Sequence, residues 1–284
     1  HIYCEKPISN SIEEAEIMLK ASVKSKKCVQ VGQWQRSGGQ YREALNYLWS
    51  GNIGKVRLVK VWAYMGWYGW VDNLKDTETP KGVDYKMWLG PAPSRKFNKN
   101  RFHGSFRWYW DYAGGLMTDW GVHEIDIALW GMNVKNPLSI SAAGGKFAYP
   151  NQDTETPDSL QTIYEYKDFT ILWEHSNGID GGNYGLDEGI AFIGSKGTIV
   201  VNRTGWEVIP EKNLHTVINN IAQQDINSVL VEAGPKLVES FLKDGLCDRL
   251  ISYQSPEPLG NEGISWSAVL NFIEKNGFNL TSSY

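Results

Sequence analysis

Between residues 138 and 202 the chain offers five strand-like segments with no helical pattern among them, and that run limits the fold more than any other feature. The segments are 138–143, 159–166, 169–176, 189–194 and 197–202, each bounded by turn residues. Parallel neighbours need a crossover of a dozen or more residues, usually helical, and these links are short. The run therefore predicts a mostly antiparallel sheet.

The first residues follow another rule. His1-Ile2-Tyr3-Cys4 reads as an apolar strand stopped by Glu5-Lys6-Pro7. Ser11-Ile12-Glu13-Glu14 fits a capping box, and Ile12, Ala15, Ile17, Met18, Leu19 and Val23 recur at helical spacing, which predicts a helix over 11–26. A strand at 28–32 completes a strand–helix–strand unit, the building block of parallel sheets. A helix at 39–50, a strand at 55–64, a loop-like stretch at 67–104 and a helix at 115–131 lead into the strand run. A loop that long in a compact domain is uncommon unless it is functional. Past Pro210 the pattern reads helix (213–224), strand (227–232), a helix ending near Gly245, and strand (249–253). Of the 13 tryptophans, 12 lie between Trp34 and Trp206 and only Trp266 follows, so the last 70 or so residues differ in origin from the rest.

Composition narrows the partners. Charged residues make up 21% and the formal net charge is −4, which argues against nucleic acid or an anionic membrane surface. No apolar run approaches the roughly 20 residues of a transmembrane helix. Cys4, Cys28 and Cys247 are odd in number and widely spaced, so neither a disulfide framework nor a zinc site is expected, and a reducing, cytoplasmic compartment is the default.

Three constellations can carry chemistry. Lys6 stands at the carboxyl end of a parallel strand, where open α/β sheets bind their ligands; a solvated lysine is the plain alternative. Asp119 and His123, four apart on one helix, place a carboxylate beside an imidazole, as a general acid/base needs, or else form a hydrogen bond without chemistry. His123-Glu124 begins an H-E-x-x-H pattern, but position 127 is Ile, so a zinc-protease site is rejected. The aromatics Trp62, Trp67, Trp70, Trp108, Tyr109, Trp110, Tyr112 and Trp120 are either core or a sugar-stacking surface, and segment 100–112 is the best place for the latter. From that segment Arg101, His103, Trp110 and Tyr112 are the candidate substrate contacts. No G-x-G-x-x-G and no phosphate-binding P-loop occurs in the chain.

Glu5-Lys6-Pro7, Val31-Gly32-Gln33, Gly90-Pro91-Ala92-Pro93, Asn100-Arg101-Phe102-His103 and Asp119-Trp120-Gly121-Val122-His123-Glu124-Ile125-Asp126 together resemble the Gfo/Idh/MocA oxidoreductases, the glucose–fructose oxidoreductase and inositol dehydrogenase family, over residues 1–210. The resemblance implies a Rossmann domain followed by an α/β domain on a large antiparallel sheet. It implies hydride transfer between NAD or NADP and a sugar or cyclitol hydroxyl. Lys6 matches the family's lysine, His123 its acid/base histidine and Asp119 the aspartate assisting it; Glu5, Lys6 and Pro7 would also face the cofactor. The family's E-K-P closes the fifth strand of a Rossmann sheet, so roughly a hundred residues, glycine loop included, are expected before it. The expectation is an inactive remnant at 1–33 with negligible NAD(P)H affinity, an α/β substrate domain at 34–211, and oligomers formed through the antiparallel sheet.

Residues 213–284 resemble something else. Ser228-Val229-Leu230-Val231-Glu232-Ala233-Gly234-Pro235-Lys236-Leu237 is similar to the C-terminal region of the riboflavin-biosynthesis reductase, a dihydrofolate-reductase-like fold, which implies Glu232 and Gly234 near NADPH phosphates. That family has V-E-G-G where this chain has Ala233 in place of the first glycine. The fold class expected is thus α/β plus α+β: a Rossmann remnant, an antiparallel sheet with helices on one face, and a small α/β fragment over 212–284. Three other functions stay open: a 5-amino-6-(5-phosphoribosylamino)uracil reductase activity from the tail, a non-catalytic fusion, and a carbohydrate-binding module.

Overall fold

The computed structural model describes residues 1–67, 71–210, 214–223 and 235–247. The chain divides into two compact units, His1–Pro210 and Glu211–Tyr284. The first begins with strand β1 (Ile2–Cys4), helix α1 (Ile12–Ser25) and strand β2 (Val29–Val31), and β1 pairs parallel with β2. Ser11 caps α1 by accepting from the Glu14 backbone N–H at 3.2 Å. The Glu14 carboxylate reaches back to the Asn10 N–H at 3.0 Å, one residue earlier than a standard capping box. No residue of α1 is buried, and Ile2 and Tyr3 are 61% and 60% exposed. Two strands and one helix supply no opposing layer for their apolar faces.

Helix α2 (Gly39–Trp49), strand β3 (Val56–Met65) and the short helix α3 (Tyr85–Leu89) follow. A π turn at Met117–Gly121 then runs into helix α4 (Val122–Met132). Six strands complete the unit: β4 (Ser139–Gly145), β5 (Ser159–Glu165), β6 (Thr170–Asn177), β7 (Glu188–Gly194), β8 (Gly197–Val201) and β9 (Trp206–Pro210). They form a seven-stranded sheet with β3, in the order β4-β5-β6-β3-β7-β8-β9, antiparallel everywhere except β3 with β6. That parallel pair is possible because more than a hundred residues of crossover, α4 included, separate the two strands. β3 sits centrally because VRLVKVWAYM is apolar on both faces; Val59, Val61, Trp62 and Ala63 are fully buried.

Helices α2 and α4 cover one face. Tyr41, Ala44, Leu45 and Leu48 of α2 and Ile127 and Ala128 of α4 pack on Val61, Ile171, Trp173, Ile190 and Phe192. Each buried Leu, Ile, Val or Phe side chain among these contributes about 1.5–3 kcal/mol. Gly131 of α4 lets helix and sheet approach: a Cβ there would lie 2.7 Å from the Phe192 ring and 2.8 Å from Leu45.

The structure departs from the sequence reading at three points. The helix expected over 115–131 opens as a π turn. Residues 71–104 contain α3 and a bridge between Thr77 and Phe97 rather than plain loop. β9 was not among the expected strands; its closing Pro210 lies on an edge strand, where a proline costs no ladder bond. In the second unit, helices α5 (Leu214–Ala222) and α6 (Pro235–Lys243) match two expected helices, while the strands expected at 227–232 and 249–253 lie outside the described residues, as do Glu232 and Gly234. Among the described residues no helix is long and apolar enough to cross a membrane.

Candidate active site

Lys6 leaves the carboxyl end of β1 just before a cis peptide to Pro7 and reaches the π turn 113 residues away. Its ammonium donates to the Asp119 backbone carbonyl at 2.6 Å and to Asp119 Oδ1 at 2.9 Å. A π turn pairs each carbonyl one residue further along than an α-helix, and such turns recur at functional sites. Here the widened turn presents both oxygens of one residue to one lysine. Arg107, from the 3₁₀ segment His103–Trp108, binds the same Oδ1 at 3.0 Å. The two cations hold the Asp119 carboxyl below the usual carboxylate range, although burial pulls the other way.

His123 lies one turn on, 4% exposed. Burial pushes its pKa down to about 4, and the charges of Lys6 and then Arg203 push the same way against the weaker field of Asp119. It is a neutral imidazole at pH 7. Its Nδ1 has no hydrogen-bond partner among the described residues, so Asp119 acts on the ring through its field and not through that nitrogen. The Trp34 ring meets His123 edge-on at 6.0 Å. Gln33, also from the first segment, donates to the Val122 carbonyl at 3.2 Å.

Beneath His123 the next residue, Glu124, is fully buried beside Glu188. Burial, and then the neighbouring Glu188, hold Glu124 well above the normal range, and burial raises Glu188 as well. Gln35 donates to Glu124 Oε2 at 3.3 Å and accepts from Arg203 Nε and Nη2, each at 3.2 Å.

The structure thus brings Lys6, Asp119 and His123 together. The other candidates make contacts of their own. Arg101 lies over the Tyr109 ring at 4.1 Å and binds Glu155 at 3.2 Å. His103 is exposed with φ 51°, Trp110 is 55% exposed, and the Tyr112 ring packs on Trp88 at 5.2 Å. Glu5 turns over Gly32, where a Cβ would approach its Oε2 to 2.7 Å, and Pro7 is exposed. Arg107, from the same segment, is not among the candidates the sequence singles out, yet it reaches Asp119. Arg203, Gln35 and Glu188 carry no local sequence signal; each joins the site through contacts with residues far along the chain. Among the described residues no group of three His, Cys, Asp or Glu side chains could hold a metal ion.

Comparisons with known proteins fall on the same two parts. A family model described as "Oxidoreductase family, C-terminal alpha/beta domain", of the Gfo/Idh/MocA group, matches residues 46–224, and one for the RibD C-terminal domain matches 191–270. The uncharacterized oxidoreductase YrbE of Bacillus subtilis is 23% identical over 211 residues, covering 72% of this chain and 49% of that protein. The riboflavin biosynthesis protein RibD of Escherichia coli is 41% identical over 59 residues, 19% of this chain and 16% of that protein. The chain therefore spans half or less of these relatives. The WlbA dehydrogenase of Bordetella pertussis, solved with NADH and UDP-GlcNAcA, shares the fold at a TM-score of 0.50 and 17% identity, over 80% of this chain and 62% of that one.

Proposed function

The chain belongs to the Gfo/Idh/MocA oxidoreductase family, and from that premise we propose that Lys6, Asp119 and His123 form the hydroxyl-binding, proton-handling half of a site acting on a sugar or cyclitol. The observation that carries the reading is the Lys6–Asp119 contact, which sets the end of a parallel strand against the π turn and His123. The Lys6 ammonium would stabilise an alkoxide as it develops. His123, neutral at pH 7, would accept the hydroxyl proton. Asp119, held ionised by two cations, keeps Lys6 in place.

In this family NAD or NADP exchanges the hydride with the substrate carbon. The residues present do not fit a whole dinucleotide. β1, α1 and β2 offer one strand end, and the sequence has no glycine-rich turn to cradle a pyrophosphate. On this reading the chain has little affinity for NAD(P)H. Residues 1–33 are on this reading a piece of a Rossmann domain, 34–211 the substrate domain and 212–284 a RibD-like segment. The sheet face opposite the helices, with Leu58, Ile163, Leu172 and Ile193, would pair copies of the chain.

Calorimetric titration of the full chain with myo-inositol and D-glucose tests the reading. Binding weakened about tenfold or more, roughly 1.4 kcal/mol, by Lys6→Ala and by His123→Ala supports it. Sugar binding untouched by either change would instead mark a carbohydrate-binding module. Titration with NADH is expected to show no saturation at micromolar cofactor.

A further inference from the structure

We infer that Arg203 is a specificity residue that recognises an anionic substituent, a carboxylate or a phosphate, on the substrate. The inference rests on the reading of Lys6 and His123 as a substrate site. Arg203 stands in the turn after β8, and that turn is firmly tied. The Asn202 side-chain oxygen accepts from Thr204 N at 2.9 Å, Thr204 Oγ1 at 2.7 Å and Gly205 N at 3.1 Å. The Arg203 backbone N–H donates to Glu188 Oε1 at 3.2 Å.

From this base the guanidinium lies 4.0 Å from the Trp120 ring centre and 4.9 Å from that of Trp34. Trp34 touches His123, and Trp120 follows Asp119 in the π turn. Two indoles and Gln35 thus hold a planar cation beside the imidazole. Such stacking fixes the plane of an arginine and leaves its outer edge for a planar or tetrahedral anion.

The charge balance points the same way. Arg36, Arg95, Arg101 and Arg107 each have a carboxylate within 4.0 Å. Among the described residues Arg203 has no such ion pair, and the neutral amide oxygen of Gln35 takes the place of a carboxylate. Gln35 cannot turn around, because its own N–H₂ group is engaged by Glu124. Glu124 and Glu188 lie nearby, and burial holds both carboxyls above the usual carboxylate range, which weakens their charge beside Arg203. Lys6 and Arg107 are both committed to Asp119. Nη1 of Arg203 stays outside the bonds to Gln35. A partly exposed cation in that position attracts an acidic sugar over a neutral one.

The test compares D-glucose, D-glucuronate and D-glucose 6-phosphate on the full chain, by calorimetry and by tryptophan fluorescence, which Trp34 and Trp120 make sensitive to this spot. At least one acidic sugar is expected to bind about tenfold more tightly than glucose; which one distinguishes carboxylate from phosphate. Arg203→Met should erase that preference, and Arg203→Lys should retain part of it. Equal affinity for all three sugars overturns the proposal, and so does a preference that survives in R203M. A loss of glucose binding as large as that of the acids would make Arg203 structural, which also overturns it. If R203M does not fold, the wild-type preference must fall steeply between low and high salt, and a salt-independent preference counts against the proposal. Glucose binding that depends on Lys6 without any acid preference would leave the site reading standing and this inference refuted. Glucose binding indifferent to Lys6 and His123 would refute the site reading itself.

Discussion

Lys6 Nζ contacts both the backbone carbonyl and the side chain of Asp119, at 2.6 and 2.9 Å, across 113 residues of chain. With the Gln33–Val122 bond it ties the first segment to the π turn at the start of α4. It also sets the electrostatics of His123, whose pKa is depressed by that same ammonium.

Removing the ammonium should therefore raise the imidazole pKa. Histidine NMR titration of Lys6→Met is expected to move His123 upward from about 4, and Asp119→Asn to move it further down, since Asp119 opposes the shift. An unchanged value in Lys6→Met would show that Lys6 does not act on His123 in solution.

Stability should follow two buried histidines. Burial lowers both His123 and His175 to about 4, and His175 is locked by Trp173 Nε1 donating to its Nδ1 at 3.2 Å. The unfolded chain binds these protons near pH 6.5, so between 6.5 and 4 it holds more protons than the native state. The contribution of each is complete above pH 6.5 and is lost as pH falls towards 4. Urea unfolding followed by tryptophan fluorescence, which reports mainly on residues 34–206, should show His175→Gln flattening the slope by about one proton near pH 5. A slope identical to wild type would contradict the assignment.

The Glu124–Glu188 pair has the opposite sign. Its raised pKa means the native state holds a proton that the unfolded chain releases above about pH 4.5. That stability is full below pH 4.5 and is lost as pH rises through the folded value. Glu124→Gln keeps the shape and removes the titration, so the variant should gain on wild type between pH 5 and pH 8. A constant difference across that range would mean Glu124 does not titrate above the usual carboxylate range in the folded chain.

Gly131→Ala pits helix propensity against packing. Alanine in a helix interior is favoured by about 1 kcal/mol over glycine. The new methyl meets the buried Phe192 ring at 2.7 Å, and overpacking of that kind costs about 1–3 kcal/mol. We expect net destabilisation, read as a lower urea midpoint; a higher midpoint would show that α4 can shift off the sheet.

Much of the frame was readable along the chain because local physics dictates it. The capping residues at Ser11 and Glu14 announced α1, and alternation and short links announced β4 to β8. The D-x-x-x-H spacing and the strand-end lysine marked Asp119, His123 and Lys6. Arg101, His103, Trp110 and Tyr112 were picked for their aromatic setting, yet Arg107 is the member of that segment that reaches Asp119. Which of several neighbouring cations turns inward depends on the 3₁₀ geometry of 103–108, and composition carries no trace of it.

What the sequence by itself determined is therefore the element types, the antiparallel sheet and the Asp119–His123 pairing, since these follow from short links and from spacing of two to four residues. Only the tertiary structure decided that the helix opens as a π turn, that β3 runs parallel to β6, and that Gln35, Glu124, Glu188 and Arg203 meet beside His123. The physical reason is separation: Gln35 and Arg203 are 168 residues apart, and their contact joins the 3₁₀ turn before α2 to the turn after β8. No local preference encodes that.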